Sequence, residues 1–197
     1  SAIAFYGSSS TQTFTESSSR GHGFLADIVQ GWEDACQPLK AANTRVIHMR
    51  MGMVLSHSGG VLAKMLPFFK LGLGGALGSG DQIMSWITMK DLIRLILFFL
   101  DHENHKGIYN AVSPSPVSNA EFTAILGWIL KRPTLFPIPA RVLRIVFGEM
   151  AIETMLASTR VVPERLMNSE FEFHHHELED ALRFILGKNS AQRDPSH

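Results

Sequence analysis

Apolar and polar positions follow two rhythms along this chain, and the switches between them mark its elements. Continuous apolar runs closed by turn residues read as buried strands, at Ile3–Tyr6 before Gly7, 45–50 continuing into 51–55, 83–87 and 107–112. A period near 3.6 marks helices. Phe24, Leu25, Ile28, Val29, Trp32 and Cys36 share a helical face over 24–39, with Pro38 as its stop. The same spacing predicts helices over 61–71, 89–100, 119–130, 140–147, 149–158 and 178–186. Pro67 inside 61–71 predicts a kink or an early end. Thr88 with Asp91, and Ser118 with Glu121, have the three-residue spacing of a capping box at a helix start. A helical turn at 163–167 and an alternating strand at 171–173 complete the pattern, and 8–23 reads as an exposed polar loop.

Five glycines, Gly72, Gly74, Gly75, Gly78 and Gly80, crowd the segment before the strand 83–87. Backbone without side chains can approach a ligand closely, and Trp86 offers a flat wall with one donor. The plain alternative is a long connection with Trp86 in the core. Strands separated by helices predict an α/β fold with a parallel sheet. In such sheets a ligand sits beyond the carboxyl ends of the strands. The loops after Tyr6, Arg50 and Trp86 are therefore the candidate walls.

Composition narrows this picture. Hydrophobic residues make up 45% and charged residues 18%, the balance of a packed globular protein. Lys+Arg and Asp+Glu number 18 each, so no net charge draws the chain to nucleic acid or an anionic membrane. Cys36 is the sole cysteine, which excludes an internal disulfide and fits a reducing compartment, so a cytoplasmic location is expected. The longest apolar run is interrupted by Arg94 and is too short to span a bilayer. The chain opens at Ser1 inside a strand pattern, which predicts partner strands upstream and a fragment of a larger fold.

The order of motifs resembles the extended short-chain dehydrogenase/reductase family, the NAD-dependent epimerases and dehydratases. Ser1-Ala2 leading to Tyr6-Gly7, Thr15-Glu16, Arg50 with Gly52, Ser85-Trp86-Ile87 before Asp91, and Tyr109-Asn110-Ala111-Val112 carry the resemblance. Gly59-Gly60, the glycines of 72–80, Met84-Ser85-Trp86-Ile87 and a C-terminal set (Gly148-Glu149, Ala157-Ser158, Arg160-Val161, Arg165-Leu166) are similar to its atypical epimerase subgroup. The resemblance implies the C-terminal part of a Rossmann-like parallel sheet over 1–71, a small α+β substrate domain over 72–187, and a disordered tail over 188–197. It implies NADP(H) as cofactor of the full-length protein, with NAD also admissible, and hydride transfer as the chemistry. The substrate would be a small polar molecule, a nucleotide-linked sugar among the candidates, and a homodimer is compatible.

Carried over residue by residue, the resemblance makes Ser1 (or Ala2 in the same slot) and Tyr6 the catalytic candidates. Arg50, Gly52, Met53 and Val54 would line the cofactor, and Lys64, Gly80 and Trp86 the substrate. Each has a plain alternative: Tyr6 as a core residue, Arg50 as the partner of a carboxylate, Trp86 as packing. Lys64 and Lys70 lie on different helical faces and do not form one clamp. The methionines read as adaptable core filling. The chain also departs from the family. No glycine-rich turn opening a helix is present to cradle a pyrophosphate. The Tyr-x-x-x-Lys pair falls on Leu25 and Val29, or on Phe24 and Ile28, so the usual proton donor is not built there. Thr88 stands where other members place a histidine. These departures support a second reading, a cofactor-binding or interaction module without turnover. His174-His175-His176 alternate faces if extended, and no acidic or cysteine cluster completes a site, so no metal is expected.

Overall fold

The computed structural model describes residues 1–135, 137 and 156–188. The expected helix at 140–147, most of that at 149–158, and the tail from 189 lie outside the described residues. The elements in chain order are β1 (Thr13–Phe14), α1 (Phe24–Asp34), α2 (Gln37–Ala41), β2 (Ile47–Met51), β3 (Met53–Leu55) and α3 (Gly60–Lys70). They continue as β4 (Ile83–Met84), β5 (Trp86–Thr88), α4 (Met89–Asp101), β6 (Gly107–Ala111), β7 (Val117–Ser118) and α5 (Asn119–Leu130). After the undescribed stretch come β8 (Arg160–Val161), α6 (Glu164–Met167) and α7 (Leu178–Ile185).

The architecture is the expected α/β, with parallel pairing throughout its centre. β2 pairs with β6 from Ile47 opposite Gly107 to Met51 opposite Ala111, and Ala2 bridges Met51 on the other side. β3 pairs with β5, and β1 with β8, also in parallel; β4 and β7 are antiparallel. The partner change from β2 to β3 occurs at Gly52. A Cβ there would lie 2.5 Å from the Ser85 carbonyl oxygen and 2.7 Å from a Val112 methyl, so only glycine lets the strands cross. Ser85 breaks the partner run in the same place, which is why the predicted strand 83–87 splits into β4 and β5.

Three apolar clusters hold these layers. Trp86, Leu62, Phe69, Phe122 and Leu126 tie α3 and α5 to β5, where α7 adds Leu178 and Leu182. Leu92, Leu95 and Phe99 of α4 pack on Tyr109 of β6 and on Phe171 and Phe173. Phe5, Tyr6, Phe14 and Val29 close the third. Both predicted caps form, with Thr88 Oγ1 accepting from the Asp91 amide at 3.0 Å and Ser118 Oγ from the Glu121 amide at 3.1 Å.

Four local expectations are corrected. Ile3–Tyr6 is a 3-10 turn rather than a strand, closed by Phe5 N–H to Ala2 and Gly7 N–H to Ala4. The apolar run is buried because the turn packs on α1. Gly21 permits this, since a Cβ there would sit 2.2 Å from the Tyr6 carbonyl oxygen. Pro38 does not end a long helix; it lies in the first turn of α2, where no N–H is needed. α3 runs through Pro67 to Lys70 without stopping early. Residues 171–173 alternate buried, exposed, buried as predicted but pair with no strand, because Asp91 takes the following backbone instead. Its carboxylate accepts from the His174 and His175 amides at 2.9 and 3.1 Å, and Arg94 donates to the Glu172 carbonyl.

Candidate functional site

A cleft of about 490 Å³ opens where β2 ends and β3 begins. Ala2 and the 3-10 turn form one wall, and Met51, Gly52 and Met53, at the β2–β3 junction, form its floor. The first turn of α1 closes a second side through Gly23, Phe24, Leu25 and Ala26. This helix opens with Gly23 at φ +111° and no side-chain cap. Val61 and Met65 of α3, Leu77, and Ile83 to Ser85 complete the far wall, together with Ala157 and Thr159. Loops after Tyr6 and Arg50 are therefore walls, as the topology predicted. The third wall comes from residues just before Trp86 rather than after it.

Few polar atoms are left for a ligand. Ser85 Oγ donates to the Thr159 carbonyl at 2.8 Å and accepts from the Val161 amide at 2.9 Å. Thr159 Oγ1 donates to the Gly7 carbonyl at 2.9 Å. These hydroxyls fasten β8 and the 3-10 turn to the wall. Among the described lining residues His22 is the one titratable side chain, and Met51, Met53, Met65 and Met84 supply much of the remaining surface.

Of the residues singled out by sequence, Gly52 and Met53 line the cleft, and so does Ala2. Ser1 lies behind it, its Oγ donating to Glu33 Oε1 at 2.6 Å. Arg50 is a correction. It is 1% exposed and grips the Glu33 carboxylate twice, Nε to Oε1 and Nη2 to Oε2, each at 2.8 Å. Its guanidinium carbon lies 3.3 Å from the centre of the Phe5 ring. Burial works to raise the Glu33 pKa, but the hydrogen bonds from Arg50 and Ser1 outweigh it and hold the carboxyl below its ordinary range. The arginine is thus paired with Glu33 through Nε and Nη2, while its buried Nη1 has no hydrogen-bond partner among the described residues.

Tyr6 is likewise a core residue, its hydroxyl donating to Asn110 Oδ1 at 2.7 Å and its ring stacked on Phe14. Burial pushes its phenol pKa up. Trp86 is fully buried and donates its indole N–H to the Ser115 carbonyl at 2.9 Å, so it is packing and not a substrate wall. Val54 pairs with Ile87 in β3 and packs toward the α4 cluster. Gly80, at φ +80°, makes a tight turn against Ala120. Lys64 is exposed on α3 and is absent from the lining.

Sequence reasoning passed over Met65 and Met84 as cleft residues, because nothing in an apolar side chain distinguishes a cleft wall from a core, and over His22, which lies in a polar loop without a motif. It also passed over Glu33. That signal was available: Glu33 stands four residues after Val29, on the buried face of α1. His175, from the histidine run, is spent on Asp91 and Thr88, with Nδ1 3.2 Å from Asp91 Oδ2. Among the described residues no group of three or more His, Cys, Asp or Glu could hold a metal, and no helix is long and apolar enough to cross a membrane.

A family model described as a domain of unknown function, DUF1731, matches residues 138–185. An epimerase family protein of Mycobacterium leprae is 41% identical over 190 residues, which is 96% of this chain and 62% of that relative. The crystal structure of human epimerase family protein SDR39U1 (isoform 2) with NADPH superimposes at a TM-score of 0.90 with 34% identity. The match covers 95% of this chain and 63% of that one. A nucleoside-diphosphate sugar epimerase from Corynebacterium glutamicum matches at a TM-score of 0.75 and 34% identity, over 95% of this chain and 36% of its own. The chain therefore spans about three-fifths of the Mycobacterium relative and of the human one. With its parallel strand pairing and these relatives, the chain belongs to the extended short-chain dehydrogenase/reductase family, among the epimerase family proteins.

Proposed function

We propose that the full-length protein is an NADP(H)-dependent oxidoreductase or epimerase in which this chain supplies the substrate side of the site. The observation that carries the reading is the cleft itself, open over Gly52 and Met53 just beyond the carboxyl end of the parallel strand β2, the side on which α/β sheets bind ligands. The NADPH held by the human relative at 34% identity supports the choice of cofactor. The cleft also lies where the two proposed units meet, since residues 2–65 form one side and 77–85 with 157–159 the other.

In this reading the bound nicotinamide supplies or withdraws a hydride. The chain's own residues do the rest. Gly52 sets the β2–β3 junction in the cleft floor, where its lack of a side chain lets the two strands cross beside Ser85 and Val112. Met51, Met53 and Met65 exclude water from the reacting face. The usual Tyr and Lys positions fall on Leu25 and Val29, or on Phe24 and Ile28, none of which can give a proton, so the accompanying proton is assigned to His22 in the cleft lining. The test is a calorimetric titration of the full-length protein with NADPH and NADH. Micromolar NADPH binding supports the reading, and failure to bind either nucleotide contradicts it. One observation favours the second reading, a cofactor-binding module without turnover: the cleft is lined at the Tyr slot by apolar Leu25 or Phe24, and neither Val29 nor Ile28 supplies the lysine. Turnover in the wild type that is lost in His22→Gln, with NADPH affinity unchanged, excludes it.

A further inference from the structure

Residues 158–161 join the two sides of the cleft, and the joint runs through side-chain hydroxyls. On the near side Thr159 Oγ1 donates to the Gly7 carbonyl at 2.9 Å. The Ser158 amide donates to Ser8 Oγ at 3.0 Å, and the Ser9 amide to the Ser158 carbonyl at 2.7 Å. On the far side Ser158 Oγ accepts from the Ile83 amide, and the Thr159 amide donates to the Ile83 carbonyl, each at 3.1 Å. Ser85 Oγ grips 159–161 from both ends, donating to the Thr159 carbonyl at 2.8 Å and accepting from the Val161 amide at 2.9 Å. Ser85 and Thr159 are both buried, where water competes little for such bonds.

Gly7 passes this fixation on to the proton carrier. A Cβ on Gly7, which sits at φ +72°, would lie 3.4 Å from Gly21 Cα and 3.5 Å from both the amide nitrogen and the carbonyl oxygen of His22. The Gly21 amide in turn donates to the Phe5 carbonyl at 2.9 Å. The backbone that carries His22 therefore rests on the segment that Thr159 holds. We propose that Thr159, itself set by Ser85, is a positioning residue: through Gly7 it fixes where His22 stands at the cleft. This rests on the reading that gives His22 the proton. A proton carrier must lie within hydrogen-bond reach of the atom it serves, and a misplacement of about 1 Å can cost on the order of a hundredfold in rate.

The experiment is hydrogen–deuterium exchange of the full-length protein, read by mass spectrometry on peptides covering 3–9 and 20–24. Thr159→Val keeps the shape and removes the donor, whereas Thr159→Ser keeps the donor. Thr159→Val and Ser85→Ala are each expected to speed exchange in both peptides about tenfold, the factor that follows from losing one hydrogen bond. Exchange in α4 and α5 should stay as in wild type, and Thr159→Ser should match wild type throughout. Unchanged exchange at 20–24 in both Thr159→Val and Ser85→Ala overturns the inference. An acceleration as large in α5 overturns it too, since that marks general destabilisation. The second readout is the His22 ring Cε1–H resonance, assigned with His22→Gln. Saturating NADPH is expected to shift it in wild type and in Thr159→Ser, and by less than half as much in Thr159→Val. An equal shift in all three overturns the positioning role. Wild type that fails to bind NADPH, or binds it without a shift at His22, contradicts the proposed function instead, and the exchange comparison still decides whether Thr159 holds the loop of His22.

Discussion

The two ends of α1 behave in opposite ways. At its start, Phe24, Leu25 and Ala26 present apolar surface to an open cleft, and no side chain caps the helix. Near its end, Glu33 is buried with Arg50 and Ser1 in a closed knot of charge, stacked on Phe5. Intuition assigns chemistry to the charged end and packing to the apolar one. The geometry reverses that assignment. A buried charge must be paired to be tolerated, so the conspicuous arginine is consumed by the fold. The apolar residues at the other end border the cleft.

The largest blow to this contrast comes from breaking the knot. Arg50→Met leaves Glu33 as an unpaired buried carboxylate and is expected to cost about 3–5 kcal/mol in urea unfolding. Adding Glu33→Leu to it should restore most of that loss, because the desolvation penalty disappears with the charge. A double variant as unstable as the single one breaks the contrast. The Asp91 cluster is the next test. It accepts from two amides, His175 and Arg94, and Asp91→Asn should cost about 1.5–3 kcal/mol.

Acid sharpens the same point. Burial opposes ionisation of Asp91 and Glu33, but their hydrogen bonds prevail and both pKa values are lowered. The unfolded chain therefore takes up protons first. Their stabilisation is fully present above the ordinary carboxylate range, about pH 5, and is lost as pH falls below about 4 toward the folded values. Unfolding curves from neutral to acid pH should show that decline, and Asp91→Asn should flatten it. The smallest stability effect belongs to the cleft: Phe24→Glu, at a 65% exposed position, should stay within about 0.5 kcal/mol of wild type.

These differences follow what the chain could disclose before it folded. Periodicity placed α4, α5 and α7 nearly to the residue, and the two capping pairs fixed where α4 and α5 begin. Motif order carried the family. Strands of two residues such as Thr13–Phe14 and Arg160–Val161 left no pattern to read, because their pairing is decided by partners about 150 residues away. Ile3–Tyr6 misled for a related reason: an apolar run of four says buried without saying extended. Within the site, Gly52 and Met53 were legible through the family's strand-and-loop motif. Arg50 and Trp86 were legible as important but not as to role, since both depend on tertiary neighbours, Glu33 for one and the α3–α5 core for the other. Phe24 was legible only as an alternative slot of the missing tyrosine, and Met51 gave no sign, because exposure is not written in a hydrophobic residue.

The measurement that reaches the centre of this account is a crystal structure of the full-length protein with NADPH. The account predicts the nicotinamide against Gly52 and Met53, with open apolar space beside Phe24 and Arg50 still gripping Glu33. A nicotinamide bound elsewhere, or Arg50 released from Glu33 to a phosphate of the nucleotide, would contradict it.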